Sequence, residues 1–551
     1  MPLLVLGLLL LAVPLAYCLW DHIAKKRLQH RLQAAWGKPE ALRRMDADEL
    51  ADAAHYCRAL QAHEPPLAAV DDTTWNDLDM DSVFLSLDAS ASAVGSEILY
   101  AILREQGAEE HTLKTRTRLA EAFAQRQDLR LDAQTALYGI GRHAFHGAWR
   151  YLFESSFRMP PHAWAYRILA VLPMLFALLG LAHPAFLLAM AASFVLNTFV
   201  HYRSQAIWQK EAAAIRHLGA VIRSAGKLSK LRHPDYSAYS SDLLRHAAQL
   251  RALRFWLPLF GMETFGDMAV VLEYLKIFLM LDMLSLVSIV RVIKRHPQSV
   301  RALYALVGET DACLSLAQIP LRAPVLCKAR FHQQAGVEAA GLTHPLIPDA
   351  VPNDLSWQQN LLISGSNASG KSTFIKAVAV NLILAQSLGL CFAQSFALRR
   401  GRVMSAMAVR DNLLAGESYF IVEIKSLKRI LDAMDSGAVY CFIDEILRGT
   451  NTVERIAASS AVLENLSGRD SLCMAATHDI ELTRLLADSY ENRHFAETVD
   501  GSGLRFDYKI KPGPTRTRNA IRLLAQMGYP PQVIQAARRR AEAFERTGAW
   551  Q

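Results

Sequence analysis

No two cysteines in this 551-residue chain have C-x-x-C spacing; the seven, Cys18, Cys57, Cys313, Cys327, Cys391, Cys441 and Cys473, are scattered. That pattern implies neither a zinc site nor a disulfide framework, and leaves reduced, mostly buried thiols of an intracellular domain as the expectation. No internal repeat or low-complexity tract stands out. Charge is also sparse: 20% of residues are charged against 52% hydrophobic, a high apolar share for a purely soluble protein of two to about four domains. Basic residues outnumber acidic ones only slightly, 60 to 52, a net charge of +8. Such a balance permits a nucleic-acid or anionic-lipid partner without requiring one.

Two stretches lack formal charge altogether. Pro2 to Trp20 is the first, and Lys25, Lys26, Arg27 and Arg31 follow it. A secretory signal would place its positive charge before the apolar run and end at a small-residue cleavage site, so the expectation is a retained anchor with the remainder in the cytoplasm. A buried soluble helix is the alternative reading. The second stretch lies between Arg167 and Arg203 and is broken by Gly180, His183 and Pro184. Its core, residues 168–200, is expected to be a membrane hairpin or a re-entrant loop, with both ends cytoplasmic. A third apolar stretch, "VVLEYLKIFLMLDMLSLVSIV" from Val270, contains Glu273, Lys276 and Asp282 and reads as a core helix of a soluble domain rather than a span.

Along most of the first 316 residues the pattern is helical, with Ala/Leu/Arg-rich segments and few β-branched runs. Pro320, Pro324, Pro345, Pro348 and Pro352 then mark a domain boundary. Beyond it, "NLLISGS", "AVYCFIDE" and "SLCMAATHD" alternate with helical segments, the texture of a parallel sheet covered by helices. "LRFDYKIK" alternates apolar and charged residues as an edge strand would. Two closing helices are predicted, Arg518 to Met527 and Pro531 to Phe544.

The chemistry sits in this second half. "GSNASGKST", comprising Gly365, Ser366, Asn367, Ala368, Ser369, Gly370, Lys371, Ser372 and Thr373, matches G-x-x-x-x-G-K-[ST]. Leu361 to Ser364 read as the strand feeding the loop and Thr373 to Ser387 as the helix leaving it. Such a loop cradles the phosphates of ATP with backbone N–H groups, reaches the outer phosphates with its lysine and holds Mg2+ with its serine hydroxyl. About seventy residues on, the strand "VYCFIDE" ends in Asp444 and Glu445: one carboxylate for the metal, the next to polarise an attacking water. The strand "SLCMAATHD" delivers Thr477 and His478, which could contact the γ-phosphate or that water. Catalysis is therefore assigned to Lys371, Glu445 and His478, and metal binding to Ser372 and Asp444.

These motifs, in this order, resemble the ATPase domain of the MutS family of DNA mismatch-repair proteins, relatives of the ABC-type ATPases. "GSNASGKSTFIKAVAVNLILAQSLGLCFAQ" is similar to the family's loop and the helix ending near Ala393 and Gln394; "DNLLAGESYFIVEI" to the segment that offers a serine, here Ser418, to the partner subunit's nucleotide; "IDEILRGTNT" and "ATHDIEL" to the Walker B strand and histidine switch; and "RNAIRLLAQMGYPPQVIQAA" to the dimerising helix-turn-helix. The similarity covers roughly 342–544. It implies a γ-phosphate contact for Asn367 and a homodimer with two shared nucleotide sites. More weakly, "LSLDASASAVGSEILYAILR" (Leu85 to Arg104) and "VGETDACLSLAQ" (Val307 to Gln318) look like the start and end of the family's helical core.

The fold expected is thus an α/β P-loop NTPase domain of ABC/MutS type at the C-terminus, preceded by an all-α core with transmembrane helices. Its divisions are an anchor at 1–20, a helical linker at 21–72, a core at 73–325 interrupted by the hairpin at 168–200, the ATPase domain at 326–513 and the dimerisation segment at 514–551. The short region before the core leaves no room for the family's mismatch-wedging module, and the lone F-x-E, Phe495 to Glu497, lies behind the ATPase, so mismatch recognition is unsupported. Two readings follow: a membrane-anchored ATPase that dimerises on ATP and binds DNA, or a membrane ATPase that moves a protein or lipid partner with no DNA role. An ABC-type exporter is disfavoured, because three short spans give too little for a translocation pathway.

Overall fold

The computed structural model describes residues 19–20, 22–38, 45–142, 147–154, 157–160, 162–260, 267–366, 369–407, 419–435, 437–500, 503–515, 521, 524–525 and 527–547. Most of the predicted anchor and most of the first closing helix lie outside them. The chain divides into two compact units that interleave in sequence: Met1–Pro65, Leu87–Ile102 and Lys114–Arg322 form the first, and Pro66–Ser86, Leu103–Leu113 and Ala323–Gln551 the second.

The first unit is helical. α1 (Ala163–Gly180) and α2 (Ala185–Ile207) are the two halves of the apolar hairpin, followed later by α3 (Asp267–Phe278), α4 (Leu281–Arg295) and α5 (Pro297–Leu316). Only 11% of the apolar window of α1 and 17% of that of α2 is buried. Core helices of soluble proteins pass the same length and composition test, but they hide their apolar surface; here Leu178, Leu181, Leu188, Val195 and Phe199 stand exposed. Pro173 lies inside α1 and has no N–H to give to the carbonyl one turn back. That carbonyl, Leu169 O, is instead met by Asn197 Nδ2 of α2 at 2.9 Å, which explains an asparagine buried in an apolar pair of helices.

The third apolar stretch departs from expectation. It is two helices, not one, because Met280 adopts a left-handed conformation (φ 48°) between α3 and α4. α4 buries Leu286, Ile289, Val290 and Ile293, as a core helix should, whereas Val270, Val271 and Tyr274 of α3 are exposed.

Two segments that looked like the beginning and end of one core do meet. Asp311 of α5, fully buried, accepts from Ala91 N at 2.9 Å and from Ser92 N and Oγ at 2.8 and 2.6 Å. Nearby, Tyr304 of α5 donates to Glu97 Oε2 at 2.6 Å. Burial pushes the Glu97 carboxyl up to about 8, with Tyr304 acting in the opposite direction and Asp52 adding to the rise. The folded state therefore holds a proton that the unfolded chain, with a glutamate pKa near 4.3, has already lost. The resulting stability is complete below that unfolded value and disappears as pH rises through about 8. Between about pH 5 and pH 8 the wild-type melting temperature should fall and then level off, and Glu97→Gln, which mimics the protonated acid, should flatten the decline; parallel slopes in thermal melts would refute the linkage.

The second unit is α/β. Its main sheet runs in the order β11-β10-β4-β9-β8-β7, where β4 is Leu361–Ser364, β7 Arg402–Ala406, β8 Val439–Asp444, β9 Ser471–Thr477, β10 Glu491–Asp500 and β11 Gly503–Pro512. All neighbours are parallel except the edge pair β10 and β11. A smaller sheet, unforeseen from the sequence, comprises β1 (Cys327–Phe331), β2 (Val337–Leu342), β3 (Asn353–Trp357), β5 (Leu390–Cys391) and β6 (Ser395–Leu398) in the order β3-β2-β6-β1-β5. Covering helices are α6 (Lys371–Leu388), α7 (Tyr419–Met434) and α8 (Thr452–Ser467), and α9 (Pro531–Thr547) closes the chain. α6 ends earlier than the resemblance implied. Gly389 takes a left-handed conformation (φ 73°), its N–H caps Ala385 O, and β5 begins at once.

β7 is an edge strand whose outward N–H groups need partners. The upstream segments in this unit supply them: Gln106 Oε1 accepts from Val403 N at 2.8 Å, Thr74 Oγ1 from Ser405 N at 3.1 Å and Asp77 Oδ2 from Met407 N at 2.9 Å. Side-chain caps at alternate residues thus place 66–86 and 103–113 with the sheet. The central strands bury Leu362, Cys441, Ile443, Cys473 and Ala475 in one core. Six cysteines are free, all buried but the half-buried Cys327; Cys18 lies outside the described residues.

Candidate nucleotide site

The site is built by strand register. β4 and β9 align Ser364 with Thr477, while β9 and β8 align Ala476 with Asp444. Three adjacent parallel strands therefore end together, and the turns that leave them emerge on one edge of the sheet. Crevices outside the carboxyl ends of parallel strands are where open α/β sheets bind ligands.

From β4 comes the glycine loop. Gly365 (φ 148°) and Gly370 (φ 100°) take conformations that side chains rarely adopt, and a Cβ on Gly370 would lie 3.0 Å from Tyr508 Cδ1. Lys371 opens α6 and is 3% exposed, with Nζ donating to Gly365 O at 2.7 Å and Ser366 O at 2.9 Å. The lysine is thus folded onto its own loop, its charge held by carbonyls. Ser369 is buried and donates to Ser366 O at 2.8 Å, while Ser372 and Thr373 are exposed in the first turn of α6. Asn367, Ala368 and Ser418 lie outside the described residues.

From β8 come the two acids. Asp444 Oδ1 is buried and has no hydrogen-bond partner among the described residues. A buried carboxylate oxygen without a donor is costly unless a cation or water fills its coordination, so this atom fits a metal role. The chemistry of the donor set, a carboxylate and a serine hydroxyl, suits the hard Mg2+ ion.

Glu445 sits at φ 58°, a strained conformation for a side-chain-bearing residue. Its Oε1 lies 2.6 Å from His478 Nε2 and its Oε2 2.5 Å from Arg448 Nε. Partial burial pushes the carboxyl up, but the His478 hydrogen bond and the charges of His478, Arg448 and Lys371 outweigh it and leave it below its ordinary value. An ionised carboxylate only accepts, so His478 Nε2 carries the hydrogen. His478 is in turn followed by Asp479, whose carboxylate takes both Nε and Nη2 of Arg455 at 3.0 and 2.7 Å.

Two participants were missed from the sequence. Arg448 stands in the quoted "IDEILRGTNT" three residues after Glu445, and that spacing was the available signal. Glu423 gave none: it sits on α7, 5% exposed, and the backbone N–H of Leu447 donates to its Oε1. Leu447 is itself left-handed (φ 56°), so Glu423 clamps a strained turn directly after Glu445.

Comparison with known proteins agrees with the location. Residues 361–545 match the family model described as MutS domain V. DNA mismatch repair protein MutS of Thermus aquaticus is 31% identical over 264 residues, 46% of this chain and 32% of that protein. A protein of the same description from Thermus thermophilus is 29% identical over 264 residues, with the same coverage of 46% and 32%. DNA mismatch repair protein MutS 2 of Haloarcula marismortui is 32% identical over 181 residues, 32% of this chain and 19% of that protein. The chain therefore spans about a third of the length of the first of these relatives, 32%.

Proposed function

We propose that this chain, which belongs to the MutS family through residues 361–545, is a membrane-anchored ATPase that binds and hydrolyses ATP as a homodimer and binds DNA. The observation that carries the ATPase reading is the shared edge on which the Lys371 loop, Asp444, Glu445 and His478 converge. ATP phosphates would lie on the loop of residues 365–373, with Lys371 exchanging its two carbonyl partners for the outer phosphates. Ser372 and Asp444 would hold Mg2+, which supplies charge neutralisation on the phosphates when bound.

Glu445 then has one task suited to its environment. A carboxylate held ionised by His478 and Arg448 is a weak base, and phosphoryl transfer asks mainly for a positioned water. Glu445 orients the water, and His478 fixes the direction in which Glu445 points. Ser418 would complete the site of the partner subunit, as the family resemblance implies.

Support for the membrane is the exposed apolar surface of α1 and α2, each long enough to cross a bilayer. The proposed location is the cytoplasmic membrane, with the ATPase unit in the cytoplasm. DNA binding rests on what the relatives are named for, DNA mismatch repair. Arg538, Arg539 and Arg540 on α9 are exposed and available to phosphates. The second reading, an ATPase acting on a lipid or protein partner without DNA, is favoured by that same exposed hairpin surface.

One assay separates them: ATP turnover of the full chain in detergent and in liposomes, with and without duplex, mismatched and branched DNA at low salt. Stimulation by DNA that fades steeply as salt rises supports the first reading; a DNA-silent enzyme stimulated by liposomes replaces it with the second. In the same assay, mixing Lys371→Ala and Ser418→Ala chains should restore activity, since each heterodimer keeps one intact site. No recovery from two folded variants would remove the shared-site dimer.

A further inference from the structure

The base of the apolar hairpin carries a polar cluster that the nucleotide site does not use. On α2, Asn197 and His201 stand one turn apart and are 0 and 1% exposed. Asn197 is accounted for: Nδ2 serves Leu169 O, left without its usual donor by Pro173, and Phe278 O at the end of α3. His201 is not. Both its ring nitrogens are buried with no hydrogen-bond partner among the described residues.

What faces His201 are the charges that interrupted the third apolar stretch. Glu273 Oε1 of α3 lies 3.5 Å from Nε2, and Asp282 Oδ2 of α4 lies 3.8 Å from Nδ1. One ligand atom from each of the three residues falls within 4.8 Å of the others. Separations of 3.5 and 3.8 Å are too long for hydrogen bonds. One ring nitrogen and one oxygen from each carboxylate, all within 4.8 Å of one another, need only a small adjustment to surround an ion, since donors about 2.0–2.2 Å from a tetrahedral centre stand about 3.3–3.6 Å apart.

Charge points the same way. Lys276 Nζ lies 3.6 Å from Glu273 Oε2, the oxygen not paired with His201 Nε2, so one ammonium stands against two carboxylates. At the centre of the cluster lie two imidazole nitrogens without hydrogen-bond partners among the described residues. Glu273 is 44% exposed on its side chain, which opens a route from solvent.

We propose that His201, Glu273 and Asp282 bind one divalent transition-metal ion of the zinc class, through one ring nitrogen and one oxygen from each carboxylate, with water completing the shell. One imidazole with two carboxylates is an N/O donor set that zinc and its neighbours accept. The ion ties α2 to α3 and α4 and so fixes the foot of the hairpin against the helical unit. The site explains why a helix as apolar as α2 keeps a buried histidine, and why the third apolar stretch keeps its two acids.

The test uses the full chain in detergent, stripped with chelator, with Mg2+ in excess so that the nucleotide site is occupied. Zinc is then titrated by calorimetry and counted by metal analysis after desalting. The wild type should take up one ion that is lost in His201→Gln, and Glu273→Gln and Asp282→Asn should each weaken binding by more than about tenfold. Zinc should raise the melting temperature of the wild type and leave that of the three variants unmoved. ATP turnover reports that the variants are folded, since none of the three lies in the nucleotide site. Equal zinc uptake by the wild type and by the His201→Gln/Glu273→Gln double variant would place the metal elsewhere, on cysteines for example, and overturn the proposal. Absence of zinc uptake, with His201 variants destabilised equally with and without metal, would identify an imidazolium paired to two carboxylates instead.

Discussion

Glu445→Gln should bind ATP as the wild type does and lose about two to four orders of magnitude in turnover. The amide keeps the size of the side chain and one acceptor oxygen, so the loop geometry and Lys371 are untouched. What it loses is the full negative charge that His478 and Arg448 hold in place. A neutral amide must also present an NH2 group to one of two donors, His478 Nε2–H or the Arg448 guanidinium, and one of those contacts becomes repulsive. The loss should therefore appear in kcat and spare nucleotide affinity, measured by phosphate release and by calorimetry with ATP. Turnover near the wild-type level would remove Glu445 from the reaction and reassign the water to His478.

Glu423→Ala should damage the same step from outside the site. Removing this carboxylate leaves the N–H of Leu447 without its acceptor in a buried setting. Each such orphaned donor costs roughly 1–3 kcal/mol. The strained turn at Glu445 and Leu447 is then free to relax toward ordinary backbone conformations, and a shift of an ångström at the catalytic carboxylate costs on the order of 100-fold in rate. We expect a lowered melting temperature together with a kcat reduced about 100-fold at unchanged KM. Glu423→Gln, whose amide oxygen still accepts, should recover most of both. A variant that melts early but turns over normally would reduce Glu423 to a packing role. Because α7 begins directly after Ser418, Glu423 also links the segment that would serve the partner's nucleotide to the turn that carries Glu445.

Much of the α/β unit was legible because its signals are local. Strand β4 runs over Leu361–Ser364, as the apolar run before the glycine loop requires, and β8 and β9 end at Asp444 and Thr477 where polar chemistry replaces apolar residues. A phosphate loop announces itself because glycines, lysine and serine must be consecutive to wrap one small anion. The smaller sheet was not legible. Its strands are short, β1 and β6 pair across more than sixty residues, and alternation over four or five residues is too brief to separate from a loop.

Long-range partners account for the other omissions. Nothing around Thr74, Asp77 or Gln106 says that they cap an edge strand some three hundred residues later, and so the helical core was drawn to include them. Nothing around Glu423 says that it holds the turn at Leu447. The charges in the stretch from Val270 read as incompatible with a simple span, but nothing local marks them as the partners of a histidine in the hairpin, because their meeting depends on the break at Met280.

The sequence alone therefore placed the candidate nucleotide site at the ends of β4, β8 and β9, since a glycine loop and an acid pair are contiguous motifs on strand ends. It also determined the two apolar helices, whose length and lack of charge are properties of the chain itself. Only the tertiary structure decided what Glu445 is able to do. Its charge state and direction come from His478, Arg448 and Lys371, brought by a neighbouring strand, a strained turn and a helix N-terminus. Electrostatic environment is a sum over groups close in space, and spatial closeness across strands is what a linear sequence does not record.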